Sequence, residues 1–332
     1  MGSGAWGTTL ALLLASKGLK VRLVCRRKEI AEDILCNREN SSHLPGVKLP
    51  PSIDAIYLSE NSLSDSEHIV LAITSQHMRE MLACPAFHKL KNGVRILHAA
   101  KGLEHYCNGK LSGRRMSQVL AEALKLDTSR ASEIAVLSGP NIASEIAAGN
   151  YAETVIACKD RSIAKEWRDI FAIPNRFVLH VSDDVAGVEF CGALKNIVAM
   201  ACGMVDGLGL GENTKSAIIS RRLDEIISIG LHYGARRETF YGLAGLFDLD
   251  VTCHSKFSRN RLVGERVAQG KPLQTVLGEL IAERRGEPEG PEMAKVVYEL
   301  NGHLNLPVLK MVYNVLFNNR SASFCVKELL SS

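Results

Sequence analysis

The strongest limit on the fold is a change of periodicity near residue 182. Before it, short runs rich in β-branched residues alternate with helical patterns. Residues 21–25, 69–73, 94–99, 134–137 and 154–158 read as strands, and stretches such as 8–17 and 116–126 as helices. That alternation predicts an α/β unit, a parallel sheet with helices on both faces. Beyond residue 182 the apolar spacing is helical and strand signals stop. Ser182 is the expected helix cap, with Asp183 and Asp184 in the first turn, where the helix dipole favours acids. The predicted division is therefore 1–181 and 182–332, the second part an all-helical domain. A length of 332 residues suits two domains of about 150 each.

Gly2, Gly4 and Gly7 form a GxGxxG pattern that opens directly onto an apolar helix. In a dinucleotide-binding fold such glycines make a tight turn, admit a pyrophosphate and bring the helix close to the sheet. Gly2, Gly4, Ala5, Trp6 and Gly7 are thus candidate cofactor-binding residues, and the first 181 residues a candidate Rossmann-type domain. The pattern usually follows a strand. Only Met1 precedes Gly2, so the first strand of such a sheet is expected to be missing here. About 20 residues on, where an acid would bind the ribose 2′-hydroxyl, the chain has Arg26 and Arg27. Arginine accommodates a 2′-phosphate, so NADP is expected to be tolerated as well as NAD.

Composition narrows the function classes. Apolar residues make up 46% and charged residues 23%, and the net charge of +4 is scattered rather than striped, which argues against nucleic-acid binding. Nine cysteines without a CxxC pair fit reduced thiols better than a disulfide framework or a zinc site, and no metal is expected. The opening glycine loop leaves no room for a signal peptide, so a cytoplasmic location is expected. The run 185–205 approaches bilayer-spanning length, but Glu189 and Lys195 lie within it among glycines, which favours a buried core helix over a membrane span.

Lys195 stands out on that helix. It shares a face with Val188, Gly192 and Ala199, so its surroundings are small and apolar. Burial lowers a lysine's pKa and suits it to proton transfer. A lysine reaching along its stem to the surface is the competing reading.

Several motifs then occur in order: SQ at 75–76, KGLE at 101–104, SGPNIASE at 138–145, GALKN at 192–196, GENTK at 211–215, GLAGLFDL at 242–249 with Thr252 and Cys253, and SRNR at 258–261. Together they resemble the NAD(P)-dependent glycerol-3-phosphate dehydrogenases. The resemblance implies hydride transfer between NAD or NADP and the pair dihydroxyacetone phosphate and sn-glycerol 3-phosphate, in a homodimer that serves phospholipid synthesis. It assigns proton transfer to the carbonyl oxygen to Lys195, places Lys101 near that oxygen and the substrate hydroxyl, and makes Asp248 and Thr252 orient Lys195 and the substrate. Substrate contacts fall to Gly139, Asn141, Asn196, Ser258, Arg259 and Asn260, the last two for the phosphate. Lys101, Ala143, Arg259 and Glu289 join the cofactor set. These residue types suit the chemistry: cations stabilise a developing oxyanion, and arginine holds a phosphate in two directions.

The chain departs from the family pattern at Thr74, Arg222, Phe247 and residues 284–286. Phe247, beside Asp248, is expected to narrow the site or shift the acid. With the missing strand, these departures motivate an alternative, a non-catalytic or cofactor-impaired relative acting as a regulator. A related two-domain reductase of another small acid is the other alternative.

Overall fold

The computed structural model describes residues 1–283 and 286–331. They form two compact units, one of Met1–Lys101 with Met116–Val185, the other of Gly102–Arg115 with Ala186–Ser332.

The first unit contains α1 (Ala5–Ser16), β1 (Val21–Cys25), α2 (Lys28–Asn37), the hairpin β2 (Glu39–Asn40) and β3 (Leu44–Lys48), β4 (Ile53–Tyr57), β5 (His68–Leu71), α3 (Ser75–Leu82) and β6 (Arg95–His98). After an excursion into the second unit, β7 (Tyr106–Cys107) and β8 (Lys110–Leu111), it resumes. There follow α4 (Met116–Ala123), α5 (Thr128–Ser132), β9 (Ala135–Ser138), α6 (Ala143–Ala147), β10 (Ala152–Ala157), α7 (Arg161–Phe171) and β11 (Phe177–Ser182). Five strands pair in the order β11-β10-β9-β6-β5, and β1 pairs with β4 separately. All these pairings are parallel except β9 with β10.

Strands buried on both faces need continuous apolar sequence. β9 is buried at all four positions. On one side Leu97, Leu137 and Ile156 pack with Leu10 and Leu13 of α1 and with Trp167 of α7; on the other Ile69 and Ile96 pack with Met78 and Leu120. Met1 and Gly2 lie between β1 and β5. The Met1 amino group donates to Val70 O (2.6 Å), Ala72 N to Met1 O (2.9 Å) and Gly2 N to Val24 O (3.1 Å).

The second unit is helical apart from the β7–β8 hairpin. It contains α8 (Val185–Gly207), α9 (Gly211–His232), α10 (Asp248–His254), α11 (Arg259–Ala268), α12 (Leu273–Ala282), α13 (Gly290–Asn301), α14 (Pro307–Phe317) and α15 (Ala322–Ser331). Among the described residues α8 alone has the length and hydropathy of a membrane span, and the apolar stretch that passes that test is wholly buried. A helix apolar on every face is a core helix when the rest of its fold surrounds it.

Two details differ from the sequence expectation. Ser182 ends β11 rather than capping α8, because it pairs with Ala157 in the sheet. Its hydroxyl accepts from Asp184 N at 3.1 Å, so Asp183 and Asp184 precede the helix, which begins at Val185. Residues 102–115 leave the first unit altogether. Arg115 pairs with Glu189 of α8 (2.7 Å), and Tyr106 lies beside Lys295 of α13.

Candidate active site

The glycine loop is shaped by two tight approaches and one opening. Gly2 has φ +97°, and a Cβ there would stand 2.4 Å from Ala72 O. A Cβ on Gly7 would stand 1.9 Å from Gly2 O. Neither position admits another residue without backbone movement. Gly4, at the N-cap of α1, meets nothing within 4 Å, and no side chain caps the helix. The first N–H groups of α1 therefore face open space, where helix geometry favours an anion. The residues present fit a dinucleotide pyrophosphate.

Arg26 and Arg27 follow β1 on exposed backbone. Arg27 Nη2 lies 2.7 Å from His43 Nε2, in the connection between β2 and β3. Asn40 of the same hairpin donates to Ser3 O and Thr8 Oγ1, each at 2.8 Å, and so ties the hairpin to the glycine loop. Burial, followed by the Arg27 charge, pushes the His43 pKa below its usual value. Among the described residues, neither group pairs with a carboxylate. The sequence reading missed His43 because it lies 16 residues from Arg27, in a hairpin without a clear strand signal.

Further along the same unit, Ser75 starts α3 and is buried. Lys101 follows β6, and its Nζ donates to Gly139 O at 2.9 Å. Asn141 donates to Thr154 Oγ1 (2.9 Å), which donates to Ser138 O (3.0 Å). Ala143 opens α6, and its carbonyl accepts from Thr9 of α1 at 3.1 Å. One connected set of bonds thus joins Lys101 to the SGPN loop, and another joins that loop's helix to α1.

In the second unit, Lys195 is 7% exposed on α8. Its Nζ donates to Asp248 Oδ1 at 2.5 Å and to Thr252 Oγ1 at 2.8 Å. Thr252 gives its own proton to Asp248 O (2.6 Å), so its lone pair faces the ammonium. Burial penalises the lysine's charge and the adjacent carboxylate favours it; the surface-reaching alternative does not occur. Residues 243–247, just before α10, form a π turn, which widens the helix entry and sets Asp248 at the start of α10. Phe247 is 52% exposed, and Asp248 beside it keeps its bond to Lys195. Asn196, next to Lys195, is buried.

Arg259 and Asn260 occupy the first turn of α11, which Ser258 caps by accepting from Arg261 N at 3.3 Å. Arg259 Nη1 donates to Glu287 O (2.9 Å). Asn260 Oδ1 accepts from Gly290 N (2.9 Å) at the start of α13, leaving Nδ2 to donate elsewhere. Glu289 is the buried N-cap residue of α13. A close crossing sets this turn beside α8. A Cβ on Gly264 would stand 1.9 Å from Met200 O, and one on Gly203 would stand 1.9 Å from Arg261 O.

Other motif residues serve the frame. Asp206, near the end of α8, pairs with Arg261 and with Lys215, each at 2.7 Å. Arg222, fully buried, pairs with Glu225 at 2.5 Å, and Glu225 accepts from Val308 N and Leu309 N at the start of α14. Thr74 holds the N-cap position of α3 without a side-chain bond. Arg284 and Arg285 lie outside the described residues.

Comparison with known proteins covers both units. The family profile for the N-terminus of NAD-dependent glycerol-3-phosphate dehydrogenase matches residues 1–164, and the profile for its C-terminus matches residues 184–327. The glycerol-3-phosphate dehydrogenase [NAD(P)+] of Geobacter sulfurreducens is 40% identical, covering 100% of this chain and 96% of the relative. That of Corynebacterium glutamicum strain R is also 40% identical, over 99% and 96%. Among solved structures, the glycerol-3-phosphate dehydrogenase of Coxiella burnetii superposes with a TM-score of 0.90 at 31% identity, covering 100% of this chain and 97% of that one. A ketopantoate reductase structure from Ralstonia solanacearum, at 13% identity and a TM-score of 0.57, covers 99% and 97% and shares the fold alone.

Proposed function

The chain belongs to the NAD-dependent glycerol-3-phosphate dehydrogenase family, and from that premise we propose that Lys195 passes the proton in its reaction. The enzyme interconverts dihydroxyacetone phosphate and sn-glycerol 3-phosphate, with NAD or NADP. The observation that carries the role of Lys195 is its buried bond to Asp248 and Thr252.

The nicotinamide, when bound, supplies or accepts the hydride at the substrate's central carbon. As hydride arrives there, negative charge develops on the ketone oxygen, and a fixed cation stabilises it. Lys195 Nζ supplies that charge and the proton, and takes the proton back in the reverse direction. Asp248 keeps the ammonium charged until transfer, and the oriented lone pair of Thr252 fixes its direction. Lys101 is proposed as the second cation for the same oxygen, with Asn196, Gly139 and Asn141 around the substrate. Arg259, Asn260 and Ser258 are proposed to hold the substrate phosphate. Guanidinium fits such an anion in two directions.

For the cofactor, Gly2, Gly4, Ala5, Trp6 and Gly7 are proposed to hold the pyrophosphate. Arg26 is proposed to read the ribose, together with Arg27 and His43, neither of which pairs with a carboxylate among the described residues. Lys101, Ala143, Arg259 and Glu289 complete the proposed set. A cytoplasmic homodimer feeding phospholipid synthesis is proposed from the resemblance. Nine free thiols suit a reducing compartment.

Lys195→Ala should lower kcat by about 10²–10⁴-fold with cofactor affinity nearly unchanged. Wild-type turnover in that variant would remove Lys195 from the mechanism. Assays with NADH and NADPH test the ribose reading. Replacing Arg26 and Arg27 together by alanine should weaken NADPH binding more than NADH binding, and equal losses would place the discrimination elsewhere.

A further inference from the structure

His43 stands beside the place where a dinucleotide fold meets the adenosine ribose. Arg27 follows the carboxyl end of β1, which is that place. Asn40 ties the β2–β3 hairpin back to the glycine loop, donating to Ser3 O and Thr8 Oγ1 at 2.8 Å each. His43, in the connection of the same hairpin, brings its Nε2 to 2.7 Å from Arg27 Nη2.

The chemistry of that contact fixes the protonation of the ring. A guanidinium has only donors. Nε2 therefore accepts from Arg27, and the ring's one proton sits on Nδ1. A second proton, on Nε2, would set two donors and two positive charges against each other. Burial and the Arg27 charge both hold the ring neutral. The acids bonded within this region stay charged near neutral pH. Asp33 of α2 accepts from Asn37 Nδ2 and from Ser41 N and Oγ, and Glu39 accepts from Gly46 N and pairs with Lys48 at 2.9 Å. Those bonds hold both carboxyls below their usual range. The remaining cation of the hairpin, Arg38, is turned to Leu49 O and Ile53 O.

A phosphate dianion would reverse the balance at His43. It offers several acceptor oxygens, so Arg27 and a doubly protonated ring can both donate to it. Its charge also outweighs the repulsion that kept Nε2 bare. A ribose hydroxyl carries no charge and leaves the ring as it is.

We propose that His43 sets the choice between NADPH and NADH by taking one proton from solvent at Nε2 when the 2′-phosphate binds. This rests on the reading of Arg26 and Arg27 as the ribose site. It makes cofactor preference a function of pH. Binding that takes up a proton weakens as pH rises, by up to about ten-fold per unit for one proton. NADPH affinity should therefore fall between about pH 7 and 8, where a phosphate monoester is already mostly dianionic. NADH affinity should stay level.

Isothermal titration of the full chain, near pH 7.5, in three phosphate-free buffers of different ionisation enthalpy counts the protons taken up. NADPH should bring in at least about half a proton, and NADH none. His43→Gln keeps a hydrogen-bonding side chain that does not titrate. That variant should bind NADPH without uptake and with an affinity level in pH. NADPH binding to the native chain without uptake overturns the proposal. So does equal uptake with NADH, or uptake that persists in His43→Gln. The Arg26→Ala, Arg27→Ala double variant separates the two readings. If it loses the preference for NADPH while the native chain takes up no proton, the ribose reading stands and the role of His43 alone falls. If it keeps both preference and uptake, the ribose is read elsewhere and both fall. None of these readouts depends on turnover, so they stand apart from the proposed role of Lys195.

Discussion

Lys195 shows how much a single residue's meaning depends on partners remote in sequence. Its helical face, with Val188, Gly192 and Ala199, marks burial, and burial alone argues for a poorly charged lysine. What changes the chemistry is Asp248, 53 residues away. Breaking a buried ion pair from one side costs about 3–5 kcal/mol, whereas replacing both partners by apolar groups is often nearly neutral. Asp248→Leu should therefore lose about 3 kcal/mol of stability, and the double variant with Lys195→Met should recover most of it while staying inactive. Denaturant titration beside an activity assay checks both halves. A double variant as unstable as the single one would mean that the pair is not the source of the cost. The resemblance pointed to both residues and to Asp248 orienting Lys195, but neither residue's own helical pattern marks their contact. Likewise it left His43 unmarked, because a histidine in a short hairpin carries no pattern until the chain folds Arg27 against it.

At the scale of elements, glycine positions separate close packing from ligand space. Gly264 brings the backbone of α11 against Met200 of α8, and Gly4 faces nothing within 4 Å. Gly264→Ala should therefore lower the melting temperature by several degrees, since overpacking costs about 1–3 kcal/mol. Gly4→Ala should leave melting unchanged and weaken NADPH binding. Differential scanning calorimetry and cofactor titration separate the two, and a Gly4→Ala protein that melts early would contradict the open geometry. The strands of the first unit were legible where β-branched residues cluster, as at β1, which the sequence placed with its observed ends. β11 was not. Its run from Phe177 to Ser182 ends in polar residues that read equally well as a helix start. The antiparallel turn of β10 was also hidden, because strand direction is set by the path of α6 and not by the strand's own residues.

At the scale of the molecule, the chain crosses between its two units more often than periodicity suggests. The boundary expected at 181 to 182 was placed by a change of pattern, whereas residues 102–115 join the second unit through contacts that no local pattern records. Arg115 is one of them, paired with a Glu189 side chain that is 2% exposed. Arg115→Ala should cost about 3 kcal/mol, the lower end for a buried pair, because the arginine is itself partly exposed. The loss should appear in the second unit's transition. Calorimetry resolves it if the units melt separately, and a loss confined to the first unit would contradict the assignment of this segment.

The burial of α8 has a consequence for the lifetime of the enzyme. Twenty-three residues with the hydropathy of a membrane segment stay in solution only while the second unit encloses them. Once that unit opens, the same apolar surface is exposed to other copies of itself, which favours association over refolding. Loss of activity on heating then becomes a matter of rate, set by how often the unit opens. The apparent melting point should rise with scan speed and fall with protein concentration. Lys195, proposed to pass the proton, sits on that helix.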